Sequence, residues 1–245
     1  ENTAILIKGV GWTIGGPSVF LSAKDDEFCF GLYDSESARR EVAVSRTLEG
    51  MGVPATRVLG YAAIKNEVLA AAQFSNGKLI EPCLLFTQAI SPLRVSDLTF
   101  FNQEEKVEIV SKVSEIIGIP VEKYFEWFCS RLGEGLGLLH ENGGCNDTLD
   151  WGNITLAAEI TDFEWVFVPG VPLPWGDGFD RLLERREKEV IYAFEVCTRL
   201  SYLLGRSVNA LGHDITSALK KGYQTYCQTS LAVFDNLKKC CVLGI

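Results

Sequence analysis

Between Leu132 and Trp165 the chain reads LGEGLGLLHENGGCNDTLDWGNITLAAEITDFEW, and this segment concentrates the side chains best suited to chemistry. Asn153 and Asp162 stand nine residues apart and flank a short apolar hairpin. An amide carbonyl and a carboxylate are hard oxygen donors, the kind that magnesium takes while other oxygens complete its shell. Asp150 and Asp147 precede Asn153 by three and six residues and are the carboxylates available to orient or accept a proton. An N-terminal glycine cluster, Gly9-Val-Gly11-Trp-Thr-Ile-Gly15-Gly16, adds backbone N–H groups that phosphate oxygens can approach closely. A plain turn between two strands explains the same glycines.

These residues need elements to hold them. Ala4–Lys8, Ser18–Ser22 and Glu27–Tyr33 read as strands on either side of the glycine cluster and the Asp25-Asp26 turn. A helix capped by Ser35 or Ser37 runs to about Met51, with Glu41, Val44 and Leu48 on its pattern, and Gly52-Val-Pro54 ends it. Strands follow around Arg57–Ile64, Glu67–Phe74 and Cys83–Ala89, with Asn76-Gly77 as a turn signal. Beyond Pro92 the periodicity changes to 3.6, giving helices over Gln103–Ile117, Val121–Glu141, Arg181–Leu204 and Asn209–Leu237. The predicted fold class is α+β: a β-rich lobe over residues 1–90 and a helical lobe over 91–245, joined near 88–95.

Composition narrows the partners. A net charge of −9 over 245 residues argues against a nucleic-acid binder, which needs a basic footprint. No run of about 18 apolar residues is present, so no membrane partner is expected. No signal-peptide pattern opens the chain. Eight cysteines without a CxxC pair read as reduced thiols of a cytoplasmic protein, and His140 and His213 alone exclude a histidine-rich metal site. His140, ending its helix, reads as structural, and Trp151 and Trp165 as packing around the loop.

The order of these segments resembles the protein-kinase-like superfamily. Arg40-Glu41-Val42, Gly52-Val-Pro-Ala-Thr-Arg-Val-Leu-Gly60-Tyr61, the Leu139-His140 helix end, Asn153 and Asp162-Phe163 look like the aminoglycoside and choline kinase-like phosphotransferases over residues 4–165. Leu6-Ile-Lys8-Gly-Val-Gly11, Gly52–Arg57 and Ala89-Ile-Ser-Pro-Leu-Arg94 are also similar to selenoprotein O, a kinase-fold family that transfers AMP to protein hydroxyls. The resemblance implies a two-lobed kinase-like fold, ATP and magnesium as cofactors, and a small-molecule or protein acceptor. It implies metal ligation by Asn153 and Asp162, and nucleotide contacts from Gly9, Gly11, Gly15, Gly16, Lys8, Glu41 and Arg94.

Two departures accompany it. The phosphotransferases carry a catalytic Asp where this chain has Thr148, and selenoprotein O carries one where it has Gly152. Asp150 and Asp147 are the substitutes. In the phosphotransferase register the phosphate-pairing lysine falls on Gly31, and in the selenoprotein O register it falls on Lys8. Phosphoryl transfer to a small hydroxyl or amine substrate is the first functional expectation. AMP transfer to protein hydroxyls and a non-catalytic pseudokinase interaction module are the alternatives.

Overall fold

The computed structural model describes residues 3–8, 33–65, 81–172, 182–206, 208–229 and 231–240. The glycine cluster Gly9–Gly16, the strands expected at Ser18–Ser22 and Glu67–Phe74, most of Glu27–Tyr33, Gly31 and the Asn76-Gly77 turn lie outside them. The fold mixes helices with small antiparallel sheets. Among the described residues no helix is long and apolar enough to cross a membrane.

Strand β4 (Pro82–Ala89) is the spine of the first sheet. Its Cys83, Leu85, Thr87 and Ala89 are buried on alternate positions, the two-residue period of a strand with one face on a core. β1 (Ala4–Lys8) and the short β2 (Tyr33–Asp34) pair antiparallel with β4 at its two ends, setting Lys8 opposite Leu85 and Tyr33 opposite Cys83. β3 (Arg57–Ala63) pairs antiparallel with it as well, with a bulge between Val58 and Gly60. The alternation in β1 places Lys8 on the half-buried face with Ala4 and Leu6, while Ile5 and Ile7 are exposed.

Helix α1 (Ser35–Met51) buries Ala38, Glu41, Val44, Ser45 and Leu48, a stripe at helical spacing that carries one carboxylate inward. Its N-cap is Asp34 rather than the expected Ser35 or Ser37. The Asp34 backbone is extended and its carboxylate accepts the Glu36 N–H at 2.9 Å, while its second oxygen accepts the Glu81 N–H at 3.0 Å. Gly52, at φ 74°, closes the helix with backbone bonds to Glu49 and Leu48, a conformation that suits glycine.

The helical part contains α2 (Gln103–Ile117), α3 (Tyr124–Glu141), α4 (Leu182–Leu203), α5 (Val208–Tyr226) and α6 (Val233–Cys240). The helix expected at 121–141 begins with a 3-10 turn at Val121–Lys123. The single helix expected over Asn209–Leu237 is two. After Tyr226 the polar Gln228 and Thr229 interrupt the apolar stripe, and α6 folds back so that Phe234 packs on Tyr223 at 5.2 Å.

α3 and α5 meet backbone to backbone. A methyl group at Gly133 would lie 2.2 Å from the Leu219 carbonyl oxygen, at Gly137 2.4 Å from that of Tyr223, and at Gly222 2.0 Å from that of Ser130. Only glycine admits this approach.

The segment after α3 forms a second, two-stranded antiparallel sheet from β5 (Cys145–Asn146) and β6 (Val166–Phe167). Between them the expected apolar hairpin is present, closed by Thr161 N–H to Asn153 O at 2.9 Å and Thr155 N–H to Glu159 O at 3.0 Å. One side of the hairpin is bonded to the turn after α1, through Thr56 N–H to Ile160 O and Ile160 N–H to Pro54 O, both 2.9 Å. On another side, Val95 N–H donates to Ile154 O at 3.0 Å and Leu156 N–H to Leu93 O at 2.8 Å. The hairpin is thus gripped by the end of α1 and by the segment leaving β4.

Candidate functional site

The Lys8 ammonium joins three elements. It bonds Glu41 of α1 at 2.9 Å and Asp162 of the hairpin's exit at 3.2 Å, from the last residue of β1. The strand alternation that turns Lys8 inward and the helical stripe that turns Glu41 inward make this meeting possible. Glu41 is 3% exposed, Lys8 23% and Asp162 36%, so the cluster runs from a buried carboxylate to an accessible one. Burial alone would lower the Lys8 pKa, but Glu41 and then Asp162 outweigh it and hold it above its ordinary value. The lysine is therefore a fixed positive charge at neutral pH.

Tyr33 of β2 donates its hydroxyl to the same Glu41 oxygen. Burial first, and Glu41 next, push the phenol's pKa up, so it stays a donor. Asp162 has a left-handed backbone, φ 63°. Such a conformation costs a non-glycine residue roughly 1–2 kcal/mol and persists only where surrounding contacts impose it. The following segment supplies those contacts. The Arg40 guanidinium donates to the carbonyls of Phe163 at 2.6 Å, Glu164 at 2.9 Å, Val166 at 2.6 Å and Pro172 at 3.2 Å. Arg40 and Glu41 are adjacent in α1, so one turn of helix holds both the lysine and the chain just past Asp162.

Asn153 is tied to this region through its own backbone, which accepts the Thr161 N–H one residue before Asp162. Its side-chain Nδ2 donates to the Thr148 carbonyl at 3.0 Å. That bond fixes the amide and turns Oδ1, the oxygen a cation would use, to the other edge. Arg94 donates to the Gly152 carbonyl at 2.7 Å and braces the loop directly before Asn153.

Neither substitute carboxylate bonds Lys8, Glu41 or Asp162. Asp150 is exposed and accepts the Gly152 N–H at 2.6 Å. Asp147 pairs with Arg185. Both line a cavity of about 330 Å³ with Trp151, Tyr192, Glu195 and Arg199, the last stacked on Trp151 at 5.0 Å. Lys8, Glu41 and Asp162 are therefore brought together, with Asn153 beside them. Asp147 and Asp150 belong to the neighbouring loop, Arg94 braces that loop from the segment after β4, and Gly9, Gly11, Gly15 and Gly16 lie outside the described residues.

Sequence reasoning gave no role to three residues that shape the site. Tyr33 and Arg40 sit beside identified residues, and their types gave no hint of their partners. Glu189 of α4 is the third. It is fully buried, accepts from the Asn146 N–H, and bonds His140 Nε2 at 2.6 Å, while His140 Nδ1 meets the Tyr223 hydroxyl at 2.9 Å. Burial pushes the Glu189 pKa up, against the opposing pull of His140. This network locks α3, α4 and α5 to the strand that opens the loop. Cys83, Cys129, Cys145, Cys197 and Cys227 are free and buried.

No protein-family model matches the chain, and no curated protein matches it.

Proposed function

We propose that the chain is a two-lobed, kinase-like transferase that uses magnesium and ATP to move a phosphoryl group to a small hydroxyl or amine substrate. The observation that carries this reading is the Lys8 ammonium held between Glu41 and Asp162. A fixed cation beside an accessible carboxylate and an oriented amide oxygen is a donor set for polyphosphate and its metal. Among the described residues no three acidic, histidine or cysteine side chains form a metal cluster. Asn153 and Asp162 would supply two oxygens, and this suits magnesium, which keeps water and phosphate oxygens in its shell.

Lys8 then neutralises phosphate charge, with Glu41 and Tyr33 fixing its position. Arg40 holds Asp162 in its left-handed conformation, and Arg94 holds Gly152 so that Asn153 keeps its orientation. The cavity beside Asp150 supports a small acceptor, since about 330 Å³ lies at the low end of small-ligand pockets. Asp150 releases the Gly152 N–H to orient the attacking hydroxyl or amine. A bound nucleotide would supply the γ-phosphoryl group and leave as ADP, with the acceptor's proton passing to Asp150.

A second reading, AMP transfer to a protein hydroxyl, draws on one observation. The lysine that meets Glu41 is Lys8 of β1, the position implied by the likeness to selenoprotein O. Incubation with magnesium and ATP labelled separately on the α and γ phosphates decides between them. Transfer of γ label, lost in Asn153→Ala and Asp162→Ala, is the expected outcome. Transfer of α label would establish AMP transfer instead. Absence of both labels and of nucleotide binding would overturn the enzyme readings and leave an interaction module.

A further inference from the structure

A second cavity, of about 730 Å³, opens between the turn after α1, the end of α2, one face of α3 and the tip of the hairpin. Its volume falls well inside the roughly 300–1,000 Å³ typical of small-ligand sites. None of Lys8, Glu41, Asn153 or Asp162 lines it. Its apolar wall includes Trp127, Ile90, Ile116 and Ile117. Its charged lining has three carboxylates, Glu49, Glu134 and Glu159, against two guanidinium groups, Arg57 and Arg131.

The charges pair off unevenly. Arg57 bonds Glu49 at 3.4 Å on exposed surface, and Arg131 bonds Glu134 at 2.9 Å on partly exposed surface. Glu159 is 6% exposed and accepts from the Ile90 N–H at 3.0 Å and the Thr155 hydroxyl at 3.0 Å. No described cation lies within ion-pair distance of it. A buried carboxylate without a direct ion-pair partner costs stability. Burial indeed pushes its pKa up, and neither its hydrogen bonds nor the more distant Arg131 charge cancels the shift. An occupant carrying one positive charge would balance the cavity.

We propose that this cavity is a binding site for a small organic ammonium ion, its charged head on Glu159 and its apolar body against Trp127, Ile117 and Ile90. The occupant would also touch the strand that leads to Asp162. Thr56 and Pro54 line the cavity and are bonded to Ile160, and Glu159 precedes it. The site does not depend on what Lys8 and Asp162 bind, so binding is measured without nucleotide.

The probe is 2-phenylethylammonium at neutral pH, with the neutral 2-phenylethanol as its near-isostere, measured by calorimetry. Indole N–H resonances report the location, with the Trp127 signal assigned from Trp127→Phe. The expected result is saturable binding of the ammonium ion, at least tenfold tighter than the alcohol, with the Trp127 signal shifting. Glu159→Gln should weaken it at least tenfold. Arg131→Ala should tighten it about threefold or more, because it removes a like charge and frees Glu134. Arg131 lies on partly exposed helix surface, so this variant tests the site even if Glu159→Gln folds poorly. Equal affinity for the alcohol, no saturation, or unchanged or weaker binding in Arg131→Ala would overturn the proposal.

Discussion

Lys8 serves two carboxylates at once, and removing it leaves them unequal. Asp162 is accessible and solvates, whereas Glu41 is buried and, among the described residues, keeps only the Tyr33 hydroxyl as a side-chain hydrogen-bond partner. Lys8→Met should therefore cost about 2 kcal/mol at pH 7, within the range for stranding a part-buried charge. The pH dependence follows from the raised lysine pKa. A lysine raised on folding stabilises fully below its unfolded pKa of about 10.4 and loses that contribution as pH climbs through the folded value. Thermal melts of wild type and Lys8→Met from pH 8 to 11 should show a gap that is constant at first and closes above about pH 10.5. A gap that stays constant throughout would mean that charge pairing is not what the lysine contributes. Glu159 has the opposite sign. Its pKa is raised from 4.5 by burial, so it erodes stability as pH rises from that value through the folded one. Glu159→Gln should gain on wild type from pH 4 to 7 in the same assay. At this scale the sequence was legible for one pairing, Lys8 with Glu41, which the structure brings to 2.9 Å. It was opaque for Glu189, because its bond to His140 spans 49 residues and burial alone determines it.

Helices α3 and α5 owe their close approach to glycines that a helix-propensity argument would remove. Alanine at an open helical position gains up to about 1 kcal/mol over glycine. At Gly50, near the end of α1, an added methyl meets nothing within 4 Å, so Gly50→Ala should be neutral or stabilising by a few tenths to 1 kcal/mol. At Gly133 and Gly222 the same methyl lands 2.2 and 2.0 Å from carbonyl oxygens of the facing helix. Those helices must separate, and each substitution should cost about 3 kcal/mol or more despite the better propensity. Denaturant titrations of the three variants check the sign reversal. Equal behaviour would mean that the helices are not in backbone contact. The elements themselves were largely readable, since β4 alternates and α1 shows a clear stripe. What escaped was the break before α6, where a few polar residues outweigh a continuing helical pattern, and the α1 cap, which Asp34 takes because it also anchors Glu81. Interfaces such as α3 on α5 were not read, because glycine in a helix looks like a weakness until its neighbour is known.

The first 90 residues are tied to the hairpin and its exit by a series of polar contacts. Lys8 reaches Asp162, Arg40 reaches four carbonyls between Phe163 and Pro172, Thr56 and Pro54 bond Ile160, and the Ile90 N–H meets Glu159. Each tie starts in the first 90 residues and ends between 159 and 172, so the hairpin and its exit are the shared element. Such ties should make one cooperative unit across the boundary near residue 90 that the change in periodicity suggests. Unfolding in denaturant, followed by tryptophan fluorescence and by far-ultraviolet circular dichroism, should give coincident single transitions. Arg40→Met removes the densest of these ties while leaving α1 free to form. It should lower stability by about 2 kcal/mol, as expected for lost hydrogen bonds to a charged group, and raise amide exchange chiefly over residues 163–172. If the Asp162 conformation depends on that strap, the nucleotide binding proposed for this site should weaken in the same variant at a temperature where it remains folded. Two separated transitions in the wild type would show instead that the sheet and the helices unfold independently, and that the ties at 159–172 are too weak to couple them.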